Sequence, residues 1–196
     1  MIGQSKNDKV LILGAGLMQK PAILAAKHLG LKAVVVDANK NALAIPLADE
    51  FFPVDLKDRA SLLELAKKLN EKGSLKGIFT AGTDFSASVS YVAENLGLPA
   101  HSFEAALNAS DKVRMRACFE KAGVPSPKFR ELDESIISEN LCESVDYPKV
   151  VKPCDNMGGR GCRLVRNQKE FLPAVSHAIE NSRTRSEERR VGKECR

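Results

Sequence analysis

The sequence predicts an α/β protein, with a doubly wound parallel sheet in the N-terminal domain and a small α+β unit after it. Three observations carry that prediction. Apolar runs rich in β-branched residues alternate with helical patterns through residues 1–108. The first run leads directly into the turn Gly14-Ala15-Gly16. Residues 147–166, YPKVVKPCDNMGGRGCRLVR, read as two short strands joined by a glycine-rich loop. Strands alternating with helices at this spacing imply a parallel sheet covered on both faces.

KVLIL at 9–13 is the first strand, and a helix follows the glycine turn to about Leu29. Residues 33–36 form a second strand that ends at Asp37, and 51–54 a short third one. Leu62, Leu63, Leu65, Ala66 and Leu69 share one face of a helix over 59–71. A fourth strand covers 77–80, and a helix over 84–96 is stopped by Gly97. Ser110 or Asp111 can cap a helix that runs to Ala122 and stops at Gly123. Val124-Pro125-Ser126-Pro127 is a stiff, extended connector. The acidic, amphipathic segment 131–144 predicts another helix, and so does 168–181.

The chain has 196 residues, 43% hydrophobic and 28% charged, which is a soluble globular composition able to bury a core. No apolar run approaches the ~20 residues that span a bilayer. The polar start MIGQSKNDK lacks an apolar signal core, so a cytoplasmic protein without a membrane partner is expected. Cys118, Cys142, Cys154, Cys162 and Cys195 contain no CxxC pair and predict reduced thiols. Cys154 and Cys162 read as small packing residues. His28, His101 and His177 form no cluster, and no metal site is assigned. Residues 183–196 hold six basic and three acidic side chains, so they supply +3 of the net +5. With Trp absent and only two Tyr, nucleic acid is not an expected partner. The same 14 residues lose all hydrophobic periodicity. They predict a solvated tail without a strand, foreign to a natural protein that continued beyond this point.

Two stretches carry candidate chemistry. In the first, Lys152 ends a strand, Gly158, Gly159 and Gly161 open the loop, and Arg160 sits within it. Glycines let a backbone approach polyphosphate and turn its N–H groups inward. A lysine adds a compact positive charge. A P-loop would need GxxxxGK[ST] opening a helix, whereas this cluster opens a strand. A plain hairpin uses glycine only for turn geometry, and this loop holds more than that. The second stretch is Gly14-Ala15-Gly16 with Asp37 closing the next strand, which mimics a dinucleotide fingerprint. Gln19 stands where that fingerprint has its third glycine, and Pro21 comes two residues later. Thr80-Ala81-Gly82-Thr83-Asp84 lies at another strand end. Its N–H groups can bind an anion, or Thr83 or Asp84 can simply cap the helix.

The pieces VLILGAGLMQKPAI from Val10, SDKVRMRACFEKAGVPSPKF from Ser110 and YPKVVKPCDNMGGRGCRLV from Tyr147 together resemble the ATP-grasp superfamily. The resemblance covers residues 8–182. It implies a pre-ATP-grasp, Rossmann-like domain over 1–108, a partial ATP-grasp domain (lid subdomain) over 109–182, and a non-native tail over 183–196. The activity it implies is ATP-dependent activation of a small-molecule carboxylate as an acyl phosphate for attack by an amine or other nucleophile. By that resemblance Lys112, Lys152, Asn156, Met157, Gly158, Gly159 and Gly161 bind nucleotide, and Arg160 is catalytic. Gly14, Gly16, Thr83 and Asp84 would touch the substrate. The cofactors implied are ATP and Mg²⁺, whose ligands are expected in a C-terminal part that this sequence lacks. Glu187 and Glu188 are not assigned to the metal. The alternative is a non-catalytic Rossmann-type nucleotide-binding module that takes NAD.

Overall fold

KVLIL forms β1 (Lys9–Leu13), the strand on which the first sheet is built. The computed structural model describes residues 7–133, 145–182 and the backbone of 190–195. Beside β1 lies β2 (Lys32–Val36), reached through α1 (Lys20–His28), and beyond it β3 (Glu50–Phe52). On the other side β1 pairs with β4 (Leu75–Thr80), which follows α2 (Arg59–Leu69). All pairings are parallel, in the order β3-β2-β1-β4, and Leu13 is level with both Val36 and Thr80. The chain divides into two compact units, Met1–Leu107 and Asn108–Arg196.

Alternation along the strands sends neighbours to opposite faces, and each face has its own core. Val10, Ile12, Ala33 and Val35 pack with Ile23 and Ala26 of α1. Leu11, Leu13, Val34 and Val36 pack with Leu62, Ala66 and Leu69 of α2 and with Val92 and Ala93 of α3 (Ser86–Asn95). The sheet is therefore doubly wound, as its near-continuous apolar strands require. A short helix, α4 (Phe103–Ser110), comes next; its Phe103 ring meets Tyr91 edge-on at 5.3 Å and carries the Arg59 guanidinium over its face. Nothing in the sequence pattern anticipates α4.

The second unit begins with α5 (Lys112–Lys121), whose N-cap is Asp111 rather than Ser110. The Asp111 carboxylate accepts from the N–H groups of Val113 and Arg114 at 2.8 and 2.9 Å. Its sheet is antiparallel, in the order β5-β8-β6-β7, from β5 (Phe129–Asp133), β6 (Lys149–Pro153), β7 (Arg163–Val165) and β8 (Arg190–Cys195). Across one face runs α6 (Gln168–Glu180). Phe171, Ala174, Val175 and Ala178 of α6 enclose Leu132, Val151 and Val165.

Two sequence expectations change here. Residues 131–133, expected in a helix, belong to β5, because Leu132 is fully buried in the second core and residues 129–133 pair with β8. Residues 134–144 lie outside the described residues. The tail expected to carry no strand supplies β8, seated between β5 and β6. Backbone pairing needs no hydrophobic period, so a polar segment can fill a slot whose two sides both offer N–H and C=O groups. Among the described residues, no helix is long and apolar enough to cross a membrane.

Phe171 is fully buried at the centre of the second core and meets Tyr147 edge-on at 6.4 Å. Phe171→Ala is expected to destabilise the second unit by about 3–5 kcal/mol, the cost of an aromatic-sized cavity. Urea unfolding followed by circular dichroism measures it.

Candidate functional site

In the second unit the loop between β6 and β7 is fixed at both roots and open at its tip. Asp155 accepts from the Ser182 hydroxyl at 3.0 and 3.1 Å. Asn156, 8% exposed, donates its amide N–H to the Asn181 carbonyl at 2.6 Å, just past the end of α6. At the far root Gly161 has φ +76°, and an added Cβ would lie 2.6 Å from Pro153 Cγ and 2.7 Å from Asn181 Cβ. Only glycine fits there. Gly158 and Gly159 also have positive φ, yet a Cβ on either would meet nothing within 4 Å. Met157, Gly158, Gly159 and Arg160 are exposed. The loop's glycines thus serve two purposes, close packing at 161 and bare backbone at 158 and 159.

Lys112 joins this loop to α5. Its backbone N–H donates to the Cys154 carbonyl at 2.9 Å. Its ammonium donates to the Asn156 carbonyl and, at 3.4 Å, to the Cys154 carbonyl. Burial lowers the Lys112 pKa below the ordinary lysine value, and the charge of Lys152 pushes the same way, while Cys162, Cys154 and Asp155 act upward. Two ammonium groups therefore stand within electrostatic reach of one another beside the loop. Lys152 alternates with the buried Val151 and so leaves β6 on the face away from α6. Arg160 Nε donates to Asn156 Oδ1 at 3.2 Å. The sequence candidates Lys112, Lys152, Asn156, Met157, Gly158, Gly159, Arg160 and Gly161 all fall in this one neighbourhood. Partly desolvated cations next to exposed backbone make a place for an anion.

The two cysteines of the loop differ. Burial, reinforced by Asp111, Glu131 and Asp155, pushes the Cys154 thiol up to about 12, which suits a packing residue. Cys162 is exposed and is not the packing residue that the sequence predicted. Its N–H closes the turn on the Gly159 carbonyl at 3.1 Å, which turns the side chain outward.

In the first unit Gly14 and Gly16 follow β1, and Thr83 and Asp84 follow β4, so all four lie at the carboxyl ends of adjacent parallel strands. That edge is where open α/β sheets bind ligands. The donors there are engaged internally. Gly14 N–H goes to the Val36 carbonyl at 2.7 Å, Ala15 N–H to Asp37 Oδ2 at 2.9 Å, and Gly16 N–H to Gln19 Oε1 at 2.9 Å. Gln19, 4% exposed, also bonds the Ala81 carbonyl. A Cβ on Gly14, at φ +99°, would come within 3.0 Å of the Gln19 side chain. The side chain at the missing third glycine thus fills the loop, and the N–H groups that a pyrophosphate would need are taken. Thr83 Oγ1 contacts Thr80 Oγ1 at 2.6 Å and accepts from Phe85 N–H at 3.3 Å, directly before α3.

Sequence reasoning missed Asp155, Asn181 and Ser182, because their roles depend on the end of α6 meeting the loop. Gln19 carries a visible signal, its place in the interrupted fingerprint, but that signal marks a departure from the pattern without showing that the side chain fills the gap.

Two protein families match the chain. The ATP-grasp N-terminal domain matches residues 23–100, and the ATP-binding domain of the carbamoyl-phosphate synthase L chain matches residues 111–191. The chain belongs to the ATP-grasp superfamily. A formate-dependent phosphoribosylglycinamide formyltransferase of Prochlorococcus marinus subsp. pastoris is 29% identical over 175 residues, which are 89% of this chain and 44% of the relative. The ATP-grasp chain described here thus spans less than half the length of that relative. Among solved structures, the N5-carboxyaminoimidazole synthetase of Staphylococcus aureus, complexed with ADP, has a TM-score of 0.72 at 21% identity, covering 96% of this chain and 47% of that one. The biotin carboxylase domain of Hydrogenobacter thermophilus 2-oxoglutarate carboxylase, in complex with MgADP, ADP and bicarbonate, has a TM-score of 0.71 at 20% identity, covering 95% and 44%. At these identities the structures establish a shared ATP-grasp fold.

Gly161→Ala is expected to cost at least about 2 kcal/mol, because the strain of a positive φ adds to overlap with Pro153 and Asn181. Gly159→Ala, in open space, is expected to cost about 1 kcal/mol from its backbone conformation alone. Thermal unfolding of both variants gives the comparison.

Proposed function

We propose that this chain is the N-terminal part of an ATP-grasp ligase that activates a carboxylate with ATP. The observation that supports it is the partly buried Lys112 ammonium, held on two carbonyls of the glycine loop within electrostatic reach of Lys152. A carboxylate is a weak electrophile, and its meeting with a polyphosphate brings two anions together. Concentrated positive charge in a site shielded from water is what such a reaction needs.

In the proposed reaction a carboxylate oxygen attacks the γ-phosphorus and the bond to the ADP oxygen breaks. An acyl phosphate forms. An amine or other nucleophile then attacks the acyl carbon, and phosphate leaves. Lys112 and Lys152 hold the phosphate oxygens, and Gly158 and Gly159 offer backbone N–H groups to the β- and γ-phosphates. Arg160 braces the phosphoryl group in transfer. In the first unit, the edge of Gly14, Gly16, Thr83 and Asp84 is a separate candidate surface for a small molecule, with the Gly14 and Gly16 N–H groups already engaged.

Mg²⁺ is the metal that this chemistry implies, and it wants carboxylate oxygens bridging to phosphates. Among the described residues no group of three or more His, Cys, Asp or Glu side chains could hold a metal ion. No residue described here is assigned to Mg²⁺, which takes one or two carboxylates together with phosphate oxygens and water. The NAD reading has the opposite difficulty, since Gln19 fills its pyrophosphate loop.

Lys152→Ala is expected to abolish ATP binding by the chain, measured by calorimetry, with its circular dichroism spectrum unchanged; retained affinity refutes the assignment. ATP and NAD titrated side by side should show binding of ATP alone, and a preference for NAD would select the Rossmann-type module instead.

A further inference from the structure

Asn156 is buried, yet every polar group of its side chain is in use. Its carbonyl accepts from the Lys112 ammonium. Its side-chain oxygen accepts from Met157 N–H at 2.9 Å and from Arg160 Nε at 3.2 Å. Its side-chain nitrogen donates to the Asn181 carbonyl at 2.6 Å. A side chain so engaged is poorly placed to serve a phosphate as well. What it does have is a hold on two of the cations around the loop. One is fixed through the main chain and the other through the side chain.

We propose that Asn156 is a positioning residue: it docks Arg160 against the loop root until a polyphosphate takes its place, and it keeps Lys112 aimed at the same spot. The inference rests on the ATP reading above but assigns Asn156 a different part in it. The two holds differ in kind. The Lys112 contact is to a carbonyl fixed by β6 and by the bond to Asn181, so it persists. The Arg160 contact is one hydrogen bond from an exposed, glycine-flanked residue, and a phosphate oxygen makes a stronger, charge-assisted partner for a guanidinium. Arg160 therefore exchanges the amide oxygen for phosphate, starting from a place beside the site rather than from open solvent.

The test uses the full chain with ATP, in wild type, Asn156→Ala, Arg160→Ala and the double variant. Arg160→Ala is expected to weaken ATP binding about tenfold through loss of the phosphate contact, whereas Asn156→Ala removes a contact made only before the nucleotide arrives and is expected to bind no more weakly than wild type, with the double variant matching Arg160→Ala. An Asn156→Ala chain that binds about tenfold more weakly than wild type, or an Arg160→Ala chain that binds like wild type, overturns the proposal. A second measurement needs no nucleotide. The rate of tryptic cleavage at the Arg160–Gly161 bond, followed by mass spectrometry, should rise in Asn156→Ala, and an unchanged rate also overturns it. Should Asn156→Ala fail to fold, Arg160→Lys leaves Asn156 and its bond to Asn181 intact, keeps a tryptic site and removes the Nε donor. It is then expected to be cleaved faster than wild type at that bond, and an unchanged or slower rate is the contrary result. A wild-type chain that binds no ATP counts against the ligase reading, while the cleavage rates judge Asn156 separately.

Discussion

The attachment of Lys112 to the β6–β7 loop is the constraint on which the candidate site depends. One residue gives its backbone N–H and its ammonium to carbonyls of Cys154 and Asn156. Asp111, capping α5, fixes where that residue begins. Carbonyl dipoles partly compensate a half-buried cation, and they do so less well than water or a full negative charge would. The lowered pKa of Lys112 is the sign of that shortfall. Under the proposed function, an arriving anion makes it good. Asp155 sits in the same neighbourhood but is already tied to Ser182.

The two glycine loops show how little residue type decides alone. At Gly14 and Gly16 the N–H groups are turned toward Val36, Asp37 and Gln19, and the loop is closed by its own side chains. At Gly158 and Gly159 an added Cβ would meet nothing within 4 Å. The difference lies in the path the chain takes on leaving each loop. After the first, a short helical turn brings Gln19 back over the glycines. After the second, the chain enters a strand and leaves nothing behind to fill the space.

Much of this architecture is legible in the sequence. β1 and β2 come from apolar runs long enough to be buried on both faces, β3 and β4 from shorter ones beside them, and α2 from its single apolar stripe. The DK helix start and the strand–loop–strand are equally visible, because caps and glycines act locally. The illegible part is non-local. β5 is a strand because Leu132 reaches a core made by α6, although its flanking residues look helical. β8 has a polar sequence and takes its conformation from the backbones on either side. Asn181 and Ser182 matter only because α6 ends where the loop begins. The helix α4 is capped by Ser102, whose hydroxyl accepts from Ala105 N–H at 3.2 Å, and is held by the aromatic contact of Phe103 with Tyr91.

The two sheets also differ in how they are clad, and that difference separates their roles. In the first, α1 covers one side and α2 and α3 the other, so most of its strand side chains are taken up in packing. Anything a small molecule could touch there must come from the rims, where strands turn into loops. In the second, α6 occupies one side. The opposite pleat carries Val150 and Lys152, both half-buried, so a lysine near the end of the strand is accommodated without loosening the frame that holds it.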